Sequence, residues 1–586
     1  LSRGTSIGRA GIAPGLLALA IACQPPPARS IAPPSADGGV SPTLAPLFVT
    51  APRAACTFAG PMAVASRGQS QVLLATADGT FAAVDPRTGA IVWEATLAPL
   101  AGSGLAPNLV APPVVAGHRL VFAWQEVMPD WTRTAHHLGV LDLDARALDP
   151  QFPPVTLAAR AAAADGAAPI DFLPAHAFSR AALVQANVPD RVLGLVYAGF
   201  GNVRDLQPWH GWLFEVDLDA WQARGAAAAV TASLVTTAAT ADCGPENGDG
   251  ARQMVCGGGI WSPSGPAVIP DPDSPDGFAL LVPTGNGLLD PTRGSFANAV
   301  LRVGRGLAFD AGCDPGLCAG FDPTAPGDAC ASSCQRLFIP RVPPGQLAPV
   351  GPSGQCTDAT LLACYAKFDW DLGASSPVVV DLPAGRALLQ PGKDGALYLV
   401  DTDHLGTLHD RAPLMPDCGQ DGATCNATWA GTIVTRPALA TVDGDTLALI
   451  PTFISDDRHP AGLQAVGVAT TGAGPVLQPR WRAPPADDPA SVAGFRSAPG
   501  GVTVVDVGGE PLAALVDPSV SPALLYWVRV RDGAVLQRLP LAGGGQRYAA
   551  PLAQDGVLYV PSCARSGSPT FDEGPSVLEA FSIAVR

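Results

Sequence analysis

Residues 369–402 read DWDLGASSPVVVDLPAGRALLQPGKDGALYLVDT. Val378 to Val380 is a β-branched run after Pro377, Ala387 to Gln390 is a second run, and Ala396 to Val400 is a third that ends on Asp401. Lys393-Asp394-Gly395 separates the last two. Short apolar runs punctuated by Gly, Pro and Asp at this spacing predict antiparallel strands joined by tight turns. The chain has 35 Lys+Arg but only two lysines, Lys367 and Lys393, both in or beside this stretch. A GC-rich genome accounts for scarce lysine equally well.

The same pattern recurs along the chain. In residues 60–97, strand Gln71 to Thr76, turn Asp78-Gly79, strand Phe81 to Val84 and a strand ending at Trp93 make one four-stranded meander. Similar units fall at about 108–157, 168–235, 257–303, 374–409, 431–484, 495–541 and 546–583, eight in all. Strand repeats of this size without helices predict an all-β chain, an eight-bladed β-propeller of four-stranded antiparallel blades spanning 55–586. Ring closure removes the strand edges that a linear array would leave exposed. The stretch 304–373 holds six cysteines and few apolar runs, and is expected to be a disulfide-stapled loop insertion on one face.

Arg3 and Arg9 precede an apolar run, Ile12 to Ala22, that is too short for a permanent membrane span. It ends Leu19-Ala20-Ile21-Ala22-Cys23, similar to a bacterial lipobox. Residues 1–23 are therefore expected to be a lipoprotein signal with Cys23 the lipidated residue, and 24–54, rich in Pro, a disordered tether. This implies an exported protein, periplasmic or on the cell surface, that touches the outer membrane only through its lipid; a soluble secreted form is the alternative. The formal charge of −16 argues against nucleic acid as a partner, and a monomer is expected. Apart from Cys23 there are twelve cysteines, an even number that suits disulfides in an oxidising compartment. Spacing suggests Cys243 with Cys256, Cys313 with Cys318, Cys330 with Cys334, Cys356 with Cys364, and Cys418 with Cys425. Cys56 and Cys563, near the two ends of the folded part, remain to close the ring.

DGTFAAVDPRTGAIVW, residues 78–93, resembles the repeat of quinoprotein propellers, in which the turn and the Trp dock neighbouring blades. Residues 194–217 with Trp209-His210-Gly211-Trp212, residues 257–303 with GGGIWSPSG and TGNG, and residues 369–406 follow in the order seen in quinoprotein alcohol dehydrogenase-like propellers. That resemblance implies pyrroloquinoline quinone and Ca2+ as cofactors. It puts Trp261 under the quinone plane, Asn286 on calcium, Asp369 or Asp371 as the base that takes the alcohol proton, and Lys393 on the quinone oxygens. The chain departs from the family in lacking an adjacent Cys-Cys pair and a Cys-x-x-Cys-His haem motif. Where the calcium-binding Glu would fall it reads Gly201-Asn202-Val203-Arg204-Asp205.

Each candidate also has a structural reading. Trp261 could pack blades, Asn286 between Gly285 and Gly287 suits a turn, Asp369 and Asp371 could bond rim amides, and Lys393 could sit in an exposed turn. His210, between tryptophans, reads as a packed histidine. No nucleophile elbow or phosphate-binding loop is present. Three functions fit: a propeller that binds a small molecule or an envelope protein in or over its central funnel, a quinone- and calcium-dependent alcohol or sugar dehydrogenase, and an envelope-assembly scaffold.

Overall fold

The computed structural model describes residues 42–585, apart from short internal stretches, chiefly 203–207, 239–255, 323–327, 347–349, 356–361, 366–368, 415–432, 454–460 and 564–574. The opening stretch forms Val378–Leu382, Gly385–Pro391 and Ala396–Asp401, joined by Leu408–Pro413 into one antiparallel sheet. Its two middle strands are continuously buried over Ala387 to Pro391 and Ala396 to Val400, because both sheet faces are covered. Leu388, Ala396, Tyr398 and Val400 pack toward the preceding blade. Ala387, Leu389, Leu397 and Leu399 pack toward the following one. The alternation that usually separates core from solvent here separates two cores.

Eight such blades follow one another, and eight apolar clusters fill the eight interfaces between neighbours, including the one between the last blade and the first. First strands of neighbouring blades approach one another around most of the ring and line its axis. Fourth strands lie outside, and carry the exposed Leu47, Val49, Ile91, Val92 and Leu148. Tryptophans dock blades as the repeat implied: Trp481 Nε1 donates to the Val530 carbonyl of the next blade at 2.9 Å. Gly89 in the Thr-Gly turn has φ +71°, and a Cβ there would lie 2.4 Å from the Phe48 ring.

Phe48 belongs to a strand that the sequence reading assigned to the tether. Pro42–Val49 pairs antiparallel with Ser576–Val585 and is the fourth strand of the last blade, so the propeller begins at Pro42. Pro42 and Pro46 are compatible with an outer strand, which needs hydrogen bonds on one side only. Leu44 is buried, and its backbone exchanges hydrogen bonds with Gln537 of the preceding blade. Cys56 and Cys563 are bonded across the same seam, with Cα atoms 5.6 Å apart and a sequence separation of 507.

Two further details differ from expectation. The insertion at 304–373 is not all loop, because Leu337–Phe338 supplies the fourth strand of the blade begun at Ala267–Pro270. Its cysteines bond Cys313 to Cys334 and Cys318 to Cys330, across two facing turns rather than within each. Asp314 folds the first turn by accepting from Gly316 and Leu317, and a short helix, Asp328–Ser333, carries the other side. Spacing alone could not show that the turns face each other. Cys256 is disulfide-bonded, while Cys23, Cys243, Cys356, Cys364, Cys418 and Cys425 lie outside the described residues. No helix among the described residues is long and apolar enough to cross a membrane.

Replacing Cys56 and Cys563 by serine should lower unfolding free energy by about 2–5 kcal/mol, less than the chain-entropy ceiling for so long a loop because the paired terminal strands also hold the seam. Urea denaturation measures it; an unchanged midpoint would show that the bridge contributes nothing to closure.

Candidate functional site

A blade's first strand starts at one face of the ring, and the turn between its second and third strands returns to that face. Segments entering first strands and these turns therefore cluster around one mouth of the axis. Trp261 lies on the segment that enters Ala267–Pro270, and Asn286 on the connection after Phe278–Pro283. Asp369 and Asp371 enter the next blade, and Lys393 forms its turn between Gly385–Pro391 and Ala396–Asp401. Residues spread over 133 positions of sequence thus share one place.

The structure brings all five together. Lys393 Nζ stands 3.0 Å from Asp369 Oδ2 and 3.6 Å from Asp371 Oδ1. It also lies 4.3 Å from the centroid of the Trp261 ring. Trp261 Nε1 donates to Asp371 Oδ2 at 3.0 Å, and Asn286 Nδ2 donates to Asp369 Oδ1 at 2.8 Å. The Lys393 amide donates to the Asp371 carbonyl at 3.2 Å. Residue 285 must be small, since a Cβ on Gly285 would sit 3.0 Å from both Asp371 Oδ2 and Trp261 Nε1.

Asp371 and Lys393 are the buried floor, 3% and 7% exposed. Trp261 is half-buried, and the Asp369 side chain is 24% exposed, so the place opens toward solvent above that floor. Burial pushes the Asp371 carboxyl up; Lys393 pulls it down and Asp369 pushes it up again, and the balance lies at about 6. Burial works against the Lys393 ammonium, but Asp369 and Asp371 outweigh it and hold its pKa above the usual value. The lysine is therefore a fixed cation.

Three residues at the same mouth were missed from sequence. Arg180 Cζ lies 4.2 Å from the Trp261 centroid and 4.9 Å from that of Tyr548, and Arg180 Nε donates to the Trp261 carbonyl at 3.3 Å. Arg547 Cζ is 5.4 Å from the Tyr548 ring. Burial would raise the Tyr548 phenol pKa, but Arg180, Arg547 and Lys393 draw it below the usual value. A signal existed: Arg180, Ala374, Val434 and Tyr548 each stand four residues ahead of a first strand, at Val184, Val378, Ala438 and Leu552. Ala374 and Val434 form an apolar cluster with Ala498, against which Trp261, Phe453 and Tyr548 pack.

The turn that presents Lys393 is anchored from below. Asp394 Oδ2 accepts from Tyr365 and Tyr398 hydroxyls at 2.7 Å each, and Arg411 stands 3.3 Å away. Tyr365 comes from the insertion, so that segment and the blade jointly fix the turn. His210 lies apart from the site; it bonds Thr237, and burial lowers its pKa to about 4, as suits a packed neutral histidine.

The quinone–calcium pair implied by the resemblance fits this site unevenly. A flat anionic ring would meet the Trp261 indole alongside two cations that lie over it, Lys393 Nζ at 4.3 Å and Arg180 Cζ at 4.2 Å from its centroid. Calcium fits less well: the Lys393 ammonium stands 3.0 Å from Asp369 and 3.6 Å from Asp371, and a divalent ion sharing those carboxylates would face it within a few ångströms. Asn286 Oδ1 and Asp371 Oδ1 are both buried without a hydrogen bond, whereas Asp369 is paired with Asn286 and Lys393. Arg204 and Asp205 lie outside the described residues.

No protein-family model and no curated protein matches this sequence. Solved structures do. A quinohemoprotein alcohol dehydrogenase from Pseudomonas putida HK5 superposes with a TM-score of 0.52 at 13% identity, covering 93% of this chain and 76% of that one. A europium-containing methanol dehydrogenase gives 0.51 at 12% identity, covering 92% and 93%. BamB from Moraxella catarrhalis gives 0.42 at 12% identity, covering 92% and 100%. This chain shares the propeller fold of the two dehydrogenases, and at such identity the likeness is one of fold.

Because its folded pKa is raised, Asp371 weakens the fold as pH rises from about 4 to about 6: the unfolded chain releases this proton first. Asp371→Asn should flatten that part of the curve of thermal midpoint against pH. Equal slopes in variant and wild type would show that Asp371 is not the perturbed group.

Proposed function

We propose that this propeller binds a small, flat organic molecule at the mouth of its axis, outside the cytoplasm. The observation that carries the reading is the half-open Trp261 ring, flanked by Lys393 and Arg180 and locked from below by Asp371. Aromatic rings with a few fixed charges around a concave mouth are the usual make-up of a small-molecule site. The bonds Cys56–Cys563, Cys313–Cys334 and Cys318–Cys330 support an oxidising compartment.

A second reading is redox chemistry, a quinone-dependent dehydrogenase of an alcohol or sugar. It is favoured by Asp371, whose pKa near 6 suits a proton acceptor, placed against Trp261 and Lys393. Here Trp261 would orient the plane of a quinone and Lys393 its oxygens, and the cofactor would supply the hydride acceptor.

One experiment separates the two. The protein is mixed with pyrroloquinoline quinone, with and without Ca2+, and both tryptophan quenching and dye reduction over an alcohol and sugar panel are followed. Binding without dye reduction is the expected result, and Trp261→Ala should abolish it. Dye reduction dependent on Asp371 would establish the second reading in its place.

A further inference from the structure

We infer that the insertion carries a second reactive site: its two disulfides stand in exchange contact, and an external dithiol enters the pair at Cys313. The site lies apart from the mouth of the axis and does not rest on the small-molecule reading.

Proximity is the first observation. Cys313 is bonded to Cys334 and Cys318 to Cys330, yet the sulfurs of Cys313, Cys318 and Cys334 all lie within 4.8 Å of one another. The Cys318 sulfur therefore stands beside both atoms of the other bridge. A thiolate formed at Cys334 meets the Cys318–Cys330 bond within the same molecule, so no second encounter is needed. No other three cysteine sulfurs among the described residues lie this close together.

Access is the second. Cys313 is half-buried and borders the exposed turn Asp314 to Leu317, whereas Cys318, Cys330 and Cys334 are sealed at 2%, 2% and 0% exposure. Exchange needs a path for the attacking thiolate to the sulfur it strikes. Within this pair only Cys313 offers one. Cys56 and Cys563, at 4% and 2%, are closed to the same attack.

These two observations fix the order of steps. One thiolate of the dithiol attacks the Cys313 sulfur, and the Cys313–Cys334 bond breaks with its electron pair on Cys334. The Cys334 thiolate attacks the Cys318 sulfur, a Cys318–Cys334 bond forms, and Cys330 leaves as a thiolate that takes a proton from water. The second thiol of the dithiol, once deprotonated, attacks the dithiol's own sulfur in the mixed disulfide and releases Cys313, which is protonated. The dithiol becomes a cyclic disulfide, and the protein gains two electrons and two protons as thiols at Cys313 and Cys330.

The third observation is what the new bond preserves. The Gly406 amide donates to the Cys334 carbonyl at 2.7 Å, and the Leu405 amide to the Gln335 carbonyl at 3.0 Å. Cys334 is thus seated on a turn of the neighbouring blade. Exchange keeps it bonded and frees the outward Cys313, so the pair reacts without unseating the insertion.

The test treats the full chain with limiting dithiothreitol, samples over time, quenches with acid and caps thiols with N-ethylmaleimide at mildly acid pH. Labels and bridges are mapped by peptide mass spectrometry. The first labelled species should carry label on Cys313 and Cys330, with Cys318 and Cys334 in one cross-linked pair and Cys56–Cys563 intact. First labels on Cys313 and Cys334 would show opening without exchange and overturn the inference. Labels on Cys318 and Cys330 with Cys313–Cys334 intact, label on all four from the earliest sample, opening of Cys56–Cys563 first, or no label at all would overturn it too.

Discussion

Closure of the ring is the constraint on which everything else here rests. Residues at the mouth of the axis come from four blades, and none of those blades alone holds two aromatic rings, two aspartates and the cations in register. Their mutual distances exist because the outer strand Pro42–Val49 joins Ser576–Val585 and because Cys56 meets Cys563 at the same seam. An open array of the same blades would leave each first strand free to splay, and the Lys393–Asp371–Trp261 contacts would lose their common frame. The eight interblade clusters supply the bulk of the burial, while the seam makes that burial circular.

Inside the ring the electrostatics work by mutual restraint. A buried lysine alone would shed its proton and two adjacent carboxylates alone would share one. Put together, with the indole N–H on one carboxylate and an amide side chain on the other, they hold a fixed ammonium under an aromatic face. Asp394, pinned by Tyr365, Tyr398 and Arg411, keeps the turn beneath from relaxing away. The same arrangement that stabilises Lys393 sets it in competition with any other cation for the two carboxylates.

Much of this was legible in the sequence, for a physical reason. Blades are local objects: strand, turn and strand follow one another within a few tens of residues, so turn residues and apolar runs mark them directly. The order Trp261, Asn286, Asp369, Asp371 and Lys393 was visible because each sits beside a recognisable turn or strand start. Other features were hidden because they are non-local. Pro42 and Pro46 made an outer strand look like a tether, and only its partner strand, over 500 residues on, shows otherwise. The pairing of Cys313 with Cys334 depends on two turns facing each other. Arg180 and Tyr548 belong to blades distant in sequence, and they read as ordinary residues until the ring brings both to Trp261.

The central claim is that Lys393 is a buried, paired cation at the mouth of the axis rather than an exposed turn residue. The chain has only two lysines, which makes the claim directly measurable. Folded and urea-unfolded protein are treated briefly with an amine-acylating ester, and the extent of modification at Lys393 is read by peptide mass spectrometry. The account predicts that Lys393 is strongly protected in the folded protein and reacts freely once unfolded, because acylation needs an accessible, neutral amine. Modification of Lys393 at the same rate in both states would place its side chain in bulk water and contradict the account.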